Sequence, residues 1–142
     1  MADGTYNRGL DETGGGQWAS GTWEALLLKG SGYTFNRDHD FVADLTPASN
    51  EVTVSGYSRQ TLGSKTRTID DTNDRITYDA ADPNFGTLAA GETVSAMVLF
   101  RFVTGDSDSI LYGYYDLVDT ATNGTSFTVT LGAAGLSYID GT

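Results

Sequence analysis

The longest apolar region of the chain runs from Glu92 to Val118, ETVSAMVLFRFVTGDSDSILYGYYDLV, and the polar stretch TGDSDS divides it in two. In its first half Val94, Ala96, Val98, Phe100 and Phe102 share one face of an extended strand, because strand side chains alternate with a period of two. The opposite face carries Thr93, Ser95, Met97, Leu99, Arg101 and Val103. It is apolar in the middle and polar at the ends, which predicts partial cover on that side. In the second half Leu111, Gly113, Tyr115 and Leu117 oppose Ile110, Tyr112, Tyr114 and Asp116. Together the two halves predict a central β-hairpin.

The remaining pattern is mostly short strands and turns. Thr22 to Lys29, TWEALLLK, bounded by Gly30 and Gly32, reads as the first strand, with Trp23, Ala25 and Leu27 on one face. Asn36 to Leu45 reads as one short helix: Asn36 or Asp38 caps it, Phe41 and Leu45 share a face, and Pro47 follows its end. Glu51 to Ser55 and Tyr57 to Leu62 read as extended, interrupted by Gly56. A polar strand, Lys65 to Ile69, is answered by Arg75 to Asp79 across the turn-forming Asp70-Asp71-Thr72-Asn73-Asp74, with Ile76 and Tyr78 pointing inward. Phe85 anchors the connection Pro83 to Leu88. Asn123-Gly124 is a hairpin-turn signal. Phe127, Val129 and Leu131 alternate inward after it, and Leu136 to Ile139 forms a last edge strand. About eight or nine strands with turn signals every 8 to 12 residues or so predict an all-β, single-domain β-sandwich, a jelly roll being one arrangement of it.

Residues 1–20 form an extended N-terminal arm ahead of the domain at 21–142. The arm is polar and glycine-rich around Gly14-Gly15-Gly16, too poor in apolar residues to offset its own ordering entropy. Tyr6 and Trp18 flank the glycines. Either a neighbouring chain holds this arm or it folds back on its own domain.

At 142 residues the chain suffices for one core. It has no cysteine, so disulfides, thiolate zinc sites and cysteine nucleophiles are excluded. A net charge of −11 argues against partners rich in phosphate, whether nucleic acid or an anionic membrane. No apolar run approaches the ~20 residues of a membrane span. The first residues lack the basic and apolar regions of a signal peptide, and Asn123-Gly124-Thr125 then reads as a turn rather than a glycosylation site.

Candidate chemistry is sparse. His39, the single histidine, stands between two aspartates with no serine motif nearby, and reads as a solvated or capping residue rather than a triad member. Asp70, Asp71, Asn73 and Asp74, and more weakly Asp106 and Asp108, suggest oxygen-rich calcium loops. They lack EF-hand spacing, and their residue types suit turns equally. No phosphate-cradling loop follows the glycines. No catalytic constellation and no cofactor are expected. The tyrosines and tryptophans are able to line a sugar-binding face.

Two stretches carry a resemblance. One is Ser31-Gly32-Tyr33-Thr34-Phe35 followed by Asp38 to Leu45. The other is Gly56-Tyr57-Ser58-Arg59-Gln60-Thr61-Leu62, then Lys65-Thr66 and Asp70 to Arg75. With the apolar strand before them, this order is similar to small structural proteins encoded among the virion genes of tailed bacteriophages, over about residues 22–120. The resemblance implies a non-enzymatic virion component assembled in the host cytoplasm. Within that class it favours a capsid cement or decoration protein, a dimer or trimer seated over junctions of the major capsid protein. A neck or tail-associated protein and a carbohydrate-binding β-sandwich are the alternatives. The expected partner contacts are the arm, with Tyr6 and Trp18 as aromatic anchors, and the polar strand with Lys65 and Arg67, which is either an interface or a charge-protected edge. Removing residues 1–18 is then expected to abolish capsid binding and leave the domain folded.

Overall fold

The computed structural model describes residues 3–8, 16–132 and 137–140, the last segment as backbone. Gly14, Gly15 and Leu136 lie outside the described residues. The strands are β1 (Gly4–Thr5), β2 (Thr22–Lys29), β3 (Gln60–Thr61), β4 (Thr66–Asp70), β5 (Arg75–Asp79), β6 (Asn84–Leu88), β7 (Thr93–Phe102), β8 (Ile110–Ala121), β9 (Thr125–Thr128) and β10 (Ser137–Asp140). Two short helices, α1 (Gln17–Ser20) and α2 (Pro47–Asn50), and a 3-10 turn at Val42–Leu45 complete the description. The fold is all-β and sandwich-like. A five-stranded sheet in the order β1-β8-β7-β2-β3 faces two smaller sheets, β10-β5-β4 and β6-β9, and the pairings within each sheet are antiparallel.

The hairpin of β7 and β8 is the centre of the large sheet, as its apolar pattern predicts. The partial cover expected on the Thr93 to Val103 side is present: Met97 and Leu99 in its middle are fully buried, like Val98 and Phe100 on the other face, while Thr93 and Val103 at its ends are exposed. One face of the sheet, with Trp23, Leu27, Met97 and Leu99, packs against Tyr78, Phe85 and Leu88 of the smaller sheets. The other, with Leu26, Leu28, Val98 and Phe100, is covered by Tyr6, Val42 and Leu45, with Tyr33 and Phe35 packed alongside. A sheet buried on both faces reads as a continuous apolar run rather than a clean alternation.

Bulges redistribute these side chains. Leu28 pairs with Ala96 and Lys29 with Val94, so Ser95 is an extra residue on β7. Its hydroxyl donates to the Leu28 carbonyl at 3.3 Å. Val94 consequently joins the first core and Ala96 the second. On β8, Gly113 pairs with Leu99 and Leu111 with Phe100, leaving Tyr112 unmatched. Leu111 and Tyr114 then face one core, and Tyr112 and Tyr115 the other. The single face expected for Leu111, Gly113, Tyr115 and Leu117 is therefore split, because one inserted residue exchanges the two faces of a strand.

Other expectations are also corrected. The helix predicted over Asn36 to Leu45 is limited to the 3-10 turn at Val42–Leu45. The Asp44 carboxylate accepts from the backbone N–H groups of Asp40 and Phe41, at 3.0 and 2.9 Å, and so closes the turn locally. Pro47 follows the end of that turn, as expected, and also starts α2, a position its fixed φ and missing donor suit. Of Glu51 to Leu62, only Glu51, bridged to Leu28, and β3 pair with the sheet. Gly56 turns the chain at φ +90°, and a Cβ there would collide with the Thr87 carbonyl. Asn123-Gly124 does turn the chain, with Gly124 at φ +81°, but the strands on its two sides do not pair. β9 leaves β8 for β6, and the Gly124 N–H donates to the Leu88 carbonyl at 2.8 Å. The predicted hairpin of β4 and β5 and the last edge strand, β10, are present.

The arm belongs to this core. β1 pairs with β8, and Trp18 of α1 lies against Trp23, Tyr78 and Tyr112, with ring centroids 5.0 to 6.1 Å apart. Trp18 is 1% exposed, and its indole N–H donates to the Thr66 carbonyl at 2.8 Å. Trp18→Ala should therefore destabilise the fold by about 3–5 kcal/mol, read as a lower urea midpoint with an unchanged slope.

Candidate functional site

Four residues were expected to meet a partner, and the structure separates them. Tyr6 and Trp18 are fully buried in the chain's own core, so their reading as partner anchors is corrected, and of the two arrangements open to the arm it takes the fold-back onto its own domain. Their rings are large apolar surfaces that this sheet needs for its own cover. The Tyr6 hydroxyl lies 3.1 Å from that of Tyr33, which in turn lies 3.0 Å from Nδ1 of His39. Burial, then this hydrogen bond, pushes the Tyr6 phenol well above its ordinary range. For the same reason, loss of residues 1–18 should unfold or loosen the domain rather than leave it intact. Lys65 is half-buried. Its ammonium donates to the carbonyls of Trp18, at 2.9 Å, and Gly21, and burial lowers its pKa. It ties the arm to the second sheet. Arg67 is exposed on β4, the edge strand, and of the four it is the one placed to meet another molecule.

The acidic loops use their oxygens on themselves. The Asp70 carboxylate accepts from the N–H groups of Thr72 and Asn73 and from the Asn73 amide, and Arg75 stands 3.6 Å away. Asp108 accepts from the N–H groups of Thr104 and Gly105 and from the Thr104 hydroxyl. These bonds hold both acids below the usual carboxylate range. Asp106 pairs with Arg59. Among the described residues no three acidic or histidine side chains converge on a point where a metal ion would sit.

Two ionic clamps carry the strongest electrostatics, and neither stands out as a pair in the sequence. Arg59 donates through Nε and Nη2 to the two oxygens of Glu51, at 2.8 and 2.7 Å, and through Nη1 to Asp106 at 2.6 Å. The planar fork of arginine suits two carboxylates at once. The hydrogen bond to Glu51, against the opposing effect of burial, raises the Arg59 pKa further above its already high value. This clamp fastens the segment before β3 to the loop between β7 and β8. Arg59→Ala should cost about 2–4 kcal/mol, because two carboxylates lose a partner. Arg59→Lys should recover only part of that, both measured by chemical denaturation.

The second clamp joins Lys29, Thr53 and Glu92. Lys29 Nζ is 2.6 Å from Glu92, which also accepts from the Thr53 N–H at 2.7 Å and from its hydroxyl at 2.8 Å. Burial pushes the Glu92 carboxyl up, but the bonds from Lys29 and Thr53 outweigh it and hold the pKa at about 2, below the ordinary 4.5. A depressed carboxylate contributes stability that is fully present above its unfolded value and lost as pH falls through the folded one. Stability should thus decline between pH 4.5 and 2. In Glu92→Gln that decline should be shallower, from a lower starting point at neutral pH, in thermal melts across the range.

One cleft has the makings of a ligand site. It measures about 490 Å³ and opens between the Gly30–Thr34 turn and the β7–β8 hairpin. Tyr33, Tyr114, Thr93, Ser95, Asp116 and Asp119 line it. Burial, then the charge of Asp116, raises the Tyr114 pKa, so the phenol stays protonated. Such a wall offers hydroxyl and carboxylate acceptors beside aromatic edges, suited to polyol or amine donors. A chain reading sees these residues as scattered over about ninety positions, and no spacing signals the site.

No protein-family model, curated protein or solved structure matches the chain. Among the described residues no helix is long and apolar enough to cross a membrane.

Proposed function

We propose that the chain is a non-enzymatic structural protein of a tailed-phage virion, a capsid cement protein bound over junctions of the major capsid protein. The observation that carries this reading is where the resembling residues lie. Tyr33, Phe35, Val42 and Leu45 cover one face of the central sheet. Arg59 clamps two acidic segments, and Asp70 shapes the turn between β4 and β5. The shared motif thus supports a scaffold rather than a reaction. The single histidine is likewise bonded to a tyrosine hydroxyl.

The mechanism is mass action. A protein that binds the assembled lattice and not free subunits stabilises the assembled state, and the lattice repeats each modest contact many times. Because the arm's aromatics are internal, the contact falls to exposed edges and loops. Quantitative mass spectrometry of purified particles tests this through the ratio of this chain to the major capsid protein. A near-stoichiometric ratio is the expected result. A few copies per particle would transfer the chain to the neck or tail, and absence from particles would remove the virion reading.

The cleft at Tyr33 and Tyr114 favours a second reading, a carbohydrate-binding β-sandwich. A glycan array probed with the wild-type chain and with Asp116→Asn separates it: retained glycans lost in the variant support it, and no retained glycan rejects it.

A further inference from the structure

Among the described residues β4 is the free edge of the three-stranded sheet. Such an edge presents unpaired backbone groups and templates the addition of another strand; here that stretch lies beyond Thr66, whose carbonyl already accepts from the Trp18 indole. Arg67 pairs across β4 and β5 with Tyr78, and Ile69 with Ile76. Directly paired residues share a face, so Arg67 and Ile69 lie on the side of the sheet that faces the core. Tyr78 is buried there and Ile76 packs against the same core, yet Ile69 remains 63% exposed. The sheet therefore overhangs its core by one strand, with an isoleucine on the uncovered underside. Two residues before Ile69 on the strand stands a cation, Arg67, and two residues after it, at the start of the turn beyond β4, an anion, Asp71, both exposed. Neither forms an ion pair among the described residues.

We propose that β4 is a homodimer edge: it pairs antiparallel with β4 of a second copy across a two-fold axis, joining two three-stranded sheets into one of six. The sequence is self-complementary in the register that sets Ile69 against Ile69. Arg67 of each copy then comes beside Asp71 of the other, the first residue of the turn that follows β4, so the two charge pairs flank the Ile69 contact at the ends of the joined strands. A shift by two residues would set Arg67 against Ile69 and forfeit these matches. The charges thereby gain a double purpose. An isolated arginine on an edge discourages an arbitrary strand, while the nearby aspartate accepts that arginine when the incoming strand is another copy. Two-fold pairing of one patch with itself closes the assembly at two chains. The proposal is independent of the virion reading, because it concerns the purified chain in solution.

Sedimentation of the full chain over a concentration series, at moderate salt to screen the overall acidic repulsion, provides the test. The wild type should show a reversible monomer–dimer equilibrium. Arg67→Asp and Asp71→Arg each turn two opposite-charge pairs into like-charge pairs and should each weaken the dimer by about tenfold. An equimolar mixture of the two single variants should restore it, since each copy then offers what the other lacks. The double variant Arg67→Asp/Asp71→Arg should restore it as well. Circular dichroism of each variant separates lost pairing from lost folding, and rescue by mixing cannot come from a misfolded chain. A wild type that stays monomeric up to roughly 1 mM, the weak end of measurable affinity, overturns the proposal. So does a dimer whose strength ignores both reversals, or one that mixing fails to restore.

Discussion

β7 is buried on both faces, and nearly everything else in the molecule answers that requirement. Its flanking strands β2 and β8 complete a sheet whose two sides need cover. An antiparallel sheet commonly leaves one face to water. Here the second layer is divided between two small sheets, and the opposite side is closed by the irregular segment from Tyr33 to Leu45 and by Tyr6. Irregular cover has to satisfy its own backbone. The carboxylate of Asp44 at the 3-10 turn and the Val42 N–H bonded to the Ser109 carbonyl at 3.0 Å meet that need. The Arg59 and Glu92 clamps bind the loops that a sheet so enclosed leaves at its margins.

The elements most legible in the sequence were those whose partners are near in the chain. The β7–β8 and β4–β5 hairpins follow from alternation and turn chemistry over a short span. Alternation fails where a bulge intervenes. Nothing in LYGYYDL marks Tyr112 as the inserted residue, because tyrosine fits either face; the exchange comes from the register against Leu99 and Phe100. Asn123-Gly124 failed in another way. Its turn chemistry is right, but a turn does not choose between pairing with the preceding strand and crossing to another layer. The helix over Asn36 to Leu45 had plausible caps, yet tertiary cover of the sheet leaves that segment irregular, with one turn closed by the His39 N–H on the Asn36 carbonyl and the 3-10 turn at Val42–Leu45.

The candidate site was less legible than the fold. Tyr6 and Trp18 drew notice for the right reason, as large aromatics in a polar arm, but aromatic area does not state which surface it covers. Core and interface use the same residues. Lys65 and Arg67 look equivalent in KTRTID, and only three-dimensional placement separates a lysine that ties the arm inward from an arginine that faces water. The clamp of Arg59 joins residues 47 positions apart, which no local pattern encodes. The cleft at Tyr33 and Tyr114 is assembled in the same long-range way.

The pairing of β1 with β8 bears on how the chain is made. Gly4 and Thr5 pair with Tyr114 and Gly113, and the Tyr6 N–H donates to the Tyr112 carbonyl at 3.0 Å. These residues enter the growing chain more than a hundred positions apart. During synthesis the arm and β2 must wait, with Tyr6, Trp18 and Trp23 in water, until the hairpin that buries them has left the ribosome. Non-local β pairing of this kind is slow because loop closure precedes any reward in contact. Exposed aromatics in that interval invite association between nascent chains. A net charge of −11 opposes that association, because like-charged chains repel one another whether or not they have folded.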